Sequence, residues 1–172
     1  MAATYTQQIT NRGMLVRRFG DDPVNNTTNE VAIMSQTIKG GALGEKRSIK
    51  FLMICQVTTP AIALPSLTIR IKYGSGSLVI ASALSLQVLL TNSPFKVVGE
   101  MSNSGASNAQ TVWGQITQSG TVPIGGVSGN SMVTADWAID STVDQTFQIT
   151  AQFGGLSLGT TLTGKYGFYE IS

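Results

Sequence analysis

From residue 30 onward apolar side chains recur at every second position, and few folds accommodate that period. Successive side chains of a β-strand point to opposite faces, so this alternation marks strands with one face buried and one face solvated. In Leu67-Thr68-Ile69-Arg70-Ile71-Lys72-Tyr73 the apolar residues share one face, and Thr, Arg and Lys share the other. Residues 146–153 repeat the pattern. Strands are expected at 30–38, 48–58, 67–73, 78–86, 95–101, 110–117, 132–139, 146–153 and 162–171, each bounded by Gly, Pro, Asn or Ser. Nine such strands predict an all-β, two-sheet antiparallel β-sandwich. Residues 51–54 are apolar on both faces, which places that strand either mid-fold or against another subunit. Tyr73-Gly74-Ser75-Gly76-Ser77 reads as a hairpin turn, since glycine supplies the positive φ that tight turns need. Residues 81–90 also fit a helix template, but their β-branched and Ser-rich flanks favour a strand.

Residues 1–29 follow a different rule. They hold one short apolar patch at 14–16 and end in a polar Asn/Thr run, so they are expected to form an extended N-terminal arm, with 30–172 as the folded body. A tail without a core is ordered by lying on a neighbour. Met14, Leu15, Val16, Arg17, Arg18 and Phe19 are its anchoring candidates.

Charge is scarce. Asp, Glu, Lys and Arg make up 12% of the chain, against roughly 25% in ordinary soluble domains. A surface built from Ser, Thr, Asn, Gln and Gly favours assembly with other protein surfaces. Residues 1–86 carry nine basic and four acidic side chains, and 87–172 carry two and five. That polarity suits head-to-tail docking or an acidic partner. Arg17 and Arg18 are followed at once by Asp21 and Asp22, a poor footprint for nucleic acid, which needs clustered cations. No stretch approaches the roughly 20 apolar residues of a membrane span. Neither nucleic acid nor membrane is expected as a partner, and synthesis in a host cytoplasm is.

The chain has no histidine and one cysteine. The commonest general base, the usual zinc ligand sets and the Ser-His-Asp and Cys-His constellations are therefore missing. No glycine-rich phosphate loop is present. No enzyme, metal or cofactor is expected, and Cys55 reads as a buried core thiol. Asp136, Asp140 and Asp144 surround a turn. Aspartates bonding their own backbone explain them best, with calcium binding and glycoside hydrolysis as the alternatives. Trp137 shares a face with Val133, Ala135 and Ile139 and is expected in the core. Trp113 shares a face with Thr111, Gln115 and Thr117 and is a candidate exposed contact. Val122, Pro123 and Ile124 are others, in the Gly-rich stretch 120–130, the longest irregular piece.

Three segments carry a family resemblance. Residues 30–44, EVAIMSQTIKGGALG, resemble the opening strand and Gly-x-Leu-Gly turn of small β-sandwich virion proteins of tailed bacteriophages. Residues 67–74, ending in Tyr-Gly, resemble a hairpin of that family. Residues 140–153 are similar to its penultimate strand, where an acidic, Thr-rich turn precedes an alternating strand. The resemblance spans roughly residues 30–171. It implies a jelly roll, a homotrimer and a place on the virion surface, with the major capsid protein or another virion protein as partner. Within that family a capsid decoration or cement protein is the leading expectation, because no shaft repeat accompanies the body. The alternatives are the receptor- or glycan-binding head of a fibre and the jelly-roll coat protein of a small virus.

Overall fold

The computed structural model describes residues 4–10, 13–25, 27–61, 65–118 and 132–172, and of residues 4–22 and 118 it describes the backbone alone. Eleven strands are present among them: β1 (Thr4–Thr10), β2 (Gly13–Asn25), β3 (Val31–Ile38), β4 (Ser48–Thr58), β5 (Ser66–Tyr73), β6 (Gly76–Ser85), β7 (Ser93–Asn103), β8 (Gln110–Gln118), β9 (Val133–Trp137), β10 (Gln145–Phe153) and β11 (Thr161–Ile171). They form two antiparallel sheets, a larger one in the order β1-β2-β11-β4-β7-β8-β9 and a smaller one in the order β3-β10-β5-β6.

The connectivity is that of a jelly roll. The pairs β2·β11, β3·β10, β4·β7 and β5·β6 are nested, as when one long hairpin is rolled into two sheets. β8 and β9 extend the larger sheet beyond β7, and β1 extends it beyond β2. All nine expected strands are found, with ends shifted by at most a few residues. β4, apolar on both faces, lies in the middle of the larger sheet, with β11 on one side and β7 on the other.

Residues 1–29 are where sequence and structure part. The expected arm is extended, but residues 13–25 pair along β11, from Leu15 opposite Glu170 to Asn25 opposite Thr161. β1 pairs along the other side of β2. Val24 is buried in the core. The stretch 15–19 is thus flanked by a strand on each side, Met14 pairs with β1, and this backbone ladder is used within the chain. Edge pairing of this kind satisfies N–H and C=O groups whatever the side chains, so a segment without an apolar period still enters a sheet.

The core fills the space between the sheets. Phe51 and Met53 of β4, Phe147 and Ile149 of β10, Ile69 and Ile71 of β5, and Tyr169 of β11 are all buried. Phe147 lies between Phe51 and Tyr169, with ring centroids 5.1 and 6.2 Å away. Each such ring contributes roughly 1.5–3 kcal/mol by leaving water. Gly99 and Gly114 face each other across β7 and β8. A Cβ at Gly99 would strike the Phe51 ring, and one at Gly114 would strike Ile71. These glycines make room for two core side chains. Cys55 is buried, as expected of a core thiol.

Candidate functional site

Antiparallel alternation sends the β4–β5, β6–β7 and β10–β11 connections, of which residues 59–61, 65, 86–92 and 154–160 are described, to one end of the sandwich. None of those residues is charged. Leucines crown this end: Leu89, Leu156 and Leu158 are 70%, 71% and 83% exposed. Solvated leucines of this kind gain nothing for the fold, which makes this end a candidate contact surface.

The crown is built, not frayed. Thr59 is buried and joins two of the loops: its Oγ1 donates to the Gln87 carbonyl (2.6 Å) and accepts from the Leu90 N–H (3.0 Å). Its own N–H donates to the Leu90 carbonyl (2.9 Å), and Leu89 N–H donates to the Pro60 carbonyl (3.2 Å). Pro60 also lies near the third loop, where a Cβ added at Gly159 would come 3.6 Å from its ring. Leu89 is held at φ 58° and Asn92 at φ 48°. A left-handed leucine costs about 1–2 kcal/mol, and here the hydrogen bonds of Thr59 and Pro60 hold it.

At the opposite end the connections 39–47, 74–75, 104–109 and 138–144 contain Lys39, Glu45, Lys46, Arg47, Asp140 and Asp144. Asp140 accepts from the Thr142 N–H (2.9 Å) and hydroxyl (2.6 Å), which holds its carboxyl below the usual range. Asp144 accepts from Lys39 Nζ (2.7 Å) and the Gly40 N–H (2.9 Å), with the same effect on its pKa. Both aspartates organise loops. Asp136 is not part of that turn; it accepts from the Thr111 hydroxyl at 2.8 Å. Among the described residues no group of three His, Cys, Asp or Glu side chains is placed to hold a metal ion.

Beneath these charges lies a buried polar network. Gln110 Nε2 donates to Asn103 Oδ1 (3.0 Å), the Ser107 carbonyl (3.0 Å) and the Ile139 carbonyl (2.9 Å), and Gln110 Oε1 accepts from the Ile139 N–H (2.9 Å). Ser141 donates to the Ser107 carbonyl at 2.7 Å. Tyr73 nearby is pushed up to about 12 by burial and by the Asp140 charge.

Trp137 packs against the core with Val133, Ala135 and Ile139, as expected. Its ring lies on the backbone of Gly76, where a Cβ would come within 2.6 Å of it. Its rim, with Ser104, Asn108, Thr111 and Asp136, lines an open groove of about 470 Å³. Trp113 is half-buried on the outer face of the larger sheet, opposite Glu100 and Thr134. Val122, Pro123 and Ile124 lie outside the described residues. On the smaller sheet Glu30 bridges Lys72 (3.1 Å) and Arg70 (3.6 Å) and accepts from Thr150 (2.6 Å). The Thr150 bond, then the two cations, hold its carboxyl below the usual value. These two cations are therefore engaged within the fold.

No family model and no curated protein matches the sequence. Among solved structures the chain is similar to lectin I from Ulex europaeus in complex with the methyl glycoside of α-L-fucose, at 10% identity over 99% of this chain and 91% of that one, TM-score 0.43. It is similar to peanut lectin with a 9mer peptide, at 8% identity over 99% and 85%, TM-score 0.40. It is also similar to the CBM2 module of the evolved Dit of Lactobacillus casei BL23 phage J-1, at 15% identity over 90% and 75%, TM-score 0.40. At this level the likeness is one of two-sheet β architecture.

The exposed leucines are the residues that the sequence reading missed. Their signal was present as leucines in the charge-free stretches LQVLLTN and GGLSLGT. Such stretches resemble strand ends until the topology shows that they meet.

Proposed function

We propose that this chain is a non-catalytic structural protein of a virion, of the capsid decoration or cement type, which docks on the outer capsid surface through the uncharged β4–β5, β6–β7 and β10–β11 loops at one end. The observation that carries this reading is the set of three exposed leucines on ordered loops, Leu89 on one held by Thr59 and Pro60, Leu156 and Leu158 on one closed by the Thr160 N–H donating to the Ser157 carbonyl. A preformed apolar tip loses little entropy on docking, and each Å² it buries contributes about 25 cal/mol. The absence of charge in the same loops removes the desolvation penalty that ionic groups would impose. The resemblance to phage virion proteins supplies the class of partner, the major capsid protein or a neighbouring virion protein. In this reading the docking role passes from the stretch Met14 to Phe19 to the loop end, because the backbone at 15–19 is already paired on both sides.

A fibre head that binds a glycan is the second reading, favoured by the groove in which Asp136, Asn108 and the rim of Trp137 converge. A carboxylate, an amide and an aromatic edge are the groups that recognise a sugar's hydroxyls and its apolar face.

The test is co-sedimentation of the purified chain with virions of the phage that encodes it. Retention on the particle, cut at least about tenfold by Leu89→Asp with Leu158→Asp, is expected; each introduced carboxylate would be desolvated at the contact. Full retention of the double variant would contradict the reading. Glycan binding abolished by Asp136→Asn, with no retention on capsids, would decide for the fibre head.

A further inference from the structure

The outer face of the larger sheet carries a second pattern, independent of the loop end. Register places Phe168, Leu52, Val98 and Gln115 side by side across β11, β4, β7 and β8. Two residues toward the loop end the row reads Tyr166, Ile54, Lys96, Thr117. Two residues the other way it reads Glu170, Lys50, Glu100, Trp113. The apolar members of these rows are only half-buried. Lys50, Lys96 and Glu100 make no ion pair or side-chain hydrogen bond among the described residues. The face is therefore an apolar stripe with unneutralised charges of opposite sign on its two sides.

Two faces of one kind can meet about a two-fold axis lying in the plane between them. An axis along β4 would exchange β7 with β11 and set Glu100 over the partner's Glu170, carboxylate on carboxylate. An axis along the Phe168–Leu52–Val98 row instead lays each strand over its own copy. It sets Val98 on the partner's Val98, Lys96 over the partner's Glu100, and Glu100 over the partner's Lys96. One row bears a net single positive charge and the row it would meet bears a net single negative charge. Sheets stacked about 10 Å apart at the usual rotation of roughly 30° keep such side chains within reach. We propose that a second copy of this chain packs on this face about that axis, with Leu52, Val98 and Phe168 at its centre. The resulting assembly is a dimer, which departs from the homotrimer that the phage resemblance implies.

The experiment is the mass of the full chain by light scattering over a dilution series, for the wild type, Lys96→Glu, Glu100→Lys and the double exchange. The expected wild-type mass is twice that of the chain. Either single reversal creates two like-charge contacts and raises the dissociation constant at least about tenfold. The double exchange restores both pairs and with them the dimer. Unchanged thermal unfolding checks that the reversals leave the fold intact. A wild-type monomer throughout, a trimer indifferent to both reversals, or a double exchange no better than the singles would each overturn the proposal.

Discussion

The two ends of this sandwich are built from opposite materials. At one, Gln110, Asn103 and Ser141 bury a polar network beneath six charged loop residues, and Asp144 ties two connections together through Lys39 and Gly40. At the other the β4–β5, β6–β7 and β10–β11 loops carry no charge, one buried hydroxyl, that of Thr59, ties the first two of them together, and Leu89, Leu156 and Leu158 stand in solvent. Both ends are ordered by hydrogen bonds. The first leaves one large apolar side chain, Val143, exposed; the second leaves three leucines in solvent. Order and exposure together distinguish a docking surface from a core, which is ordered and hidden, and from a loose loop, which is exposed and unpinned.

The largest effect that would break this comparison is at the polar end. Replacing Gln110 by Leu strands the Ile139 backbone groups and Asn103 in a buried setting, at a cost of about 2–4 kcal/mol in urea unfolding, since unpaired buried groups are expensive. A loss below about 1 kcal/mol would mean that the network does not hold that end. A smaller effect sharpens the other side. Thr59→Val keeps the shape and removes the hydroxyl, costing about 1–2 kcal/mol and speeding hydrogen exchange at the Leu90 amide, its former partner. Exchange at the Ile139 amide should not change; if both ends loosen together, they are not independent units.

Much of this architecture was legible from alternation alone, because half-buried strands write their burial into the sequence. Residues 67–73 and 146–153 gave their faces, and the structure adds that they pair with each other in one sheet. Trp137 was placed in the core by its neighbours at 133, 135 and 139. What alternation could not show was β2. Its pairing with β11 rests on backbone groups that every residue has, so residues 13–25 read as an arm. The leucine crown was hidden for a related reason. Leu89 belongs to one connection and Leu156 and Leu158 to another far along the chain, and only the nested strand order brings those connections to one end. The charge antisymmetry of Lys96 and Glu100 about Val98 is visible within β7, but its meaning depends on Leu52 and Phe168 lying beside it.

Side-chain footprinting by hydroxyl radicals, on the chain alone and on the chain bound to virions, tests the central claim most directly. Val143, 52% exposed at the charged end, serves as the internal reference for Leu89, Leu156 and Leu158. The account predicts that docking shields the three leucines and leaves Val143 labelled as in the free chain. Shielding of Val143 with undiminished labelling of the leucines would contradict it.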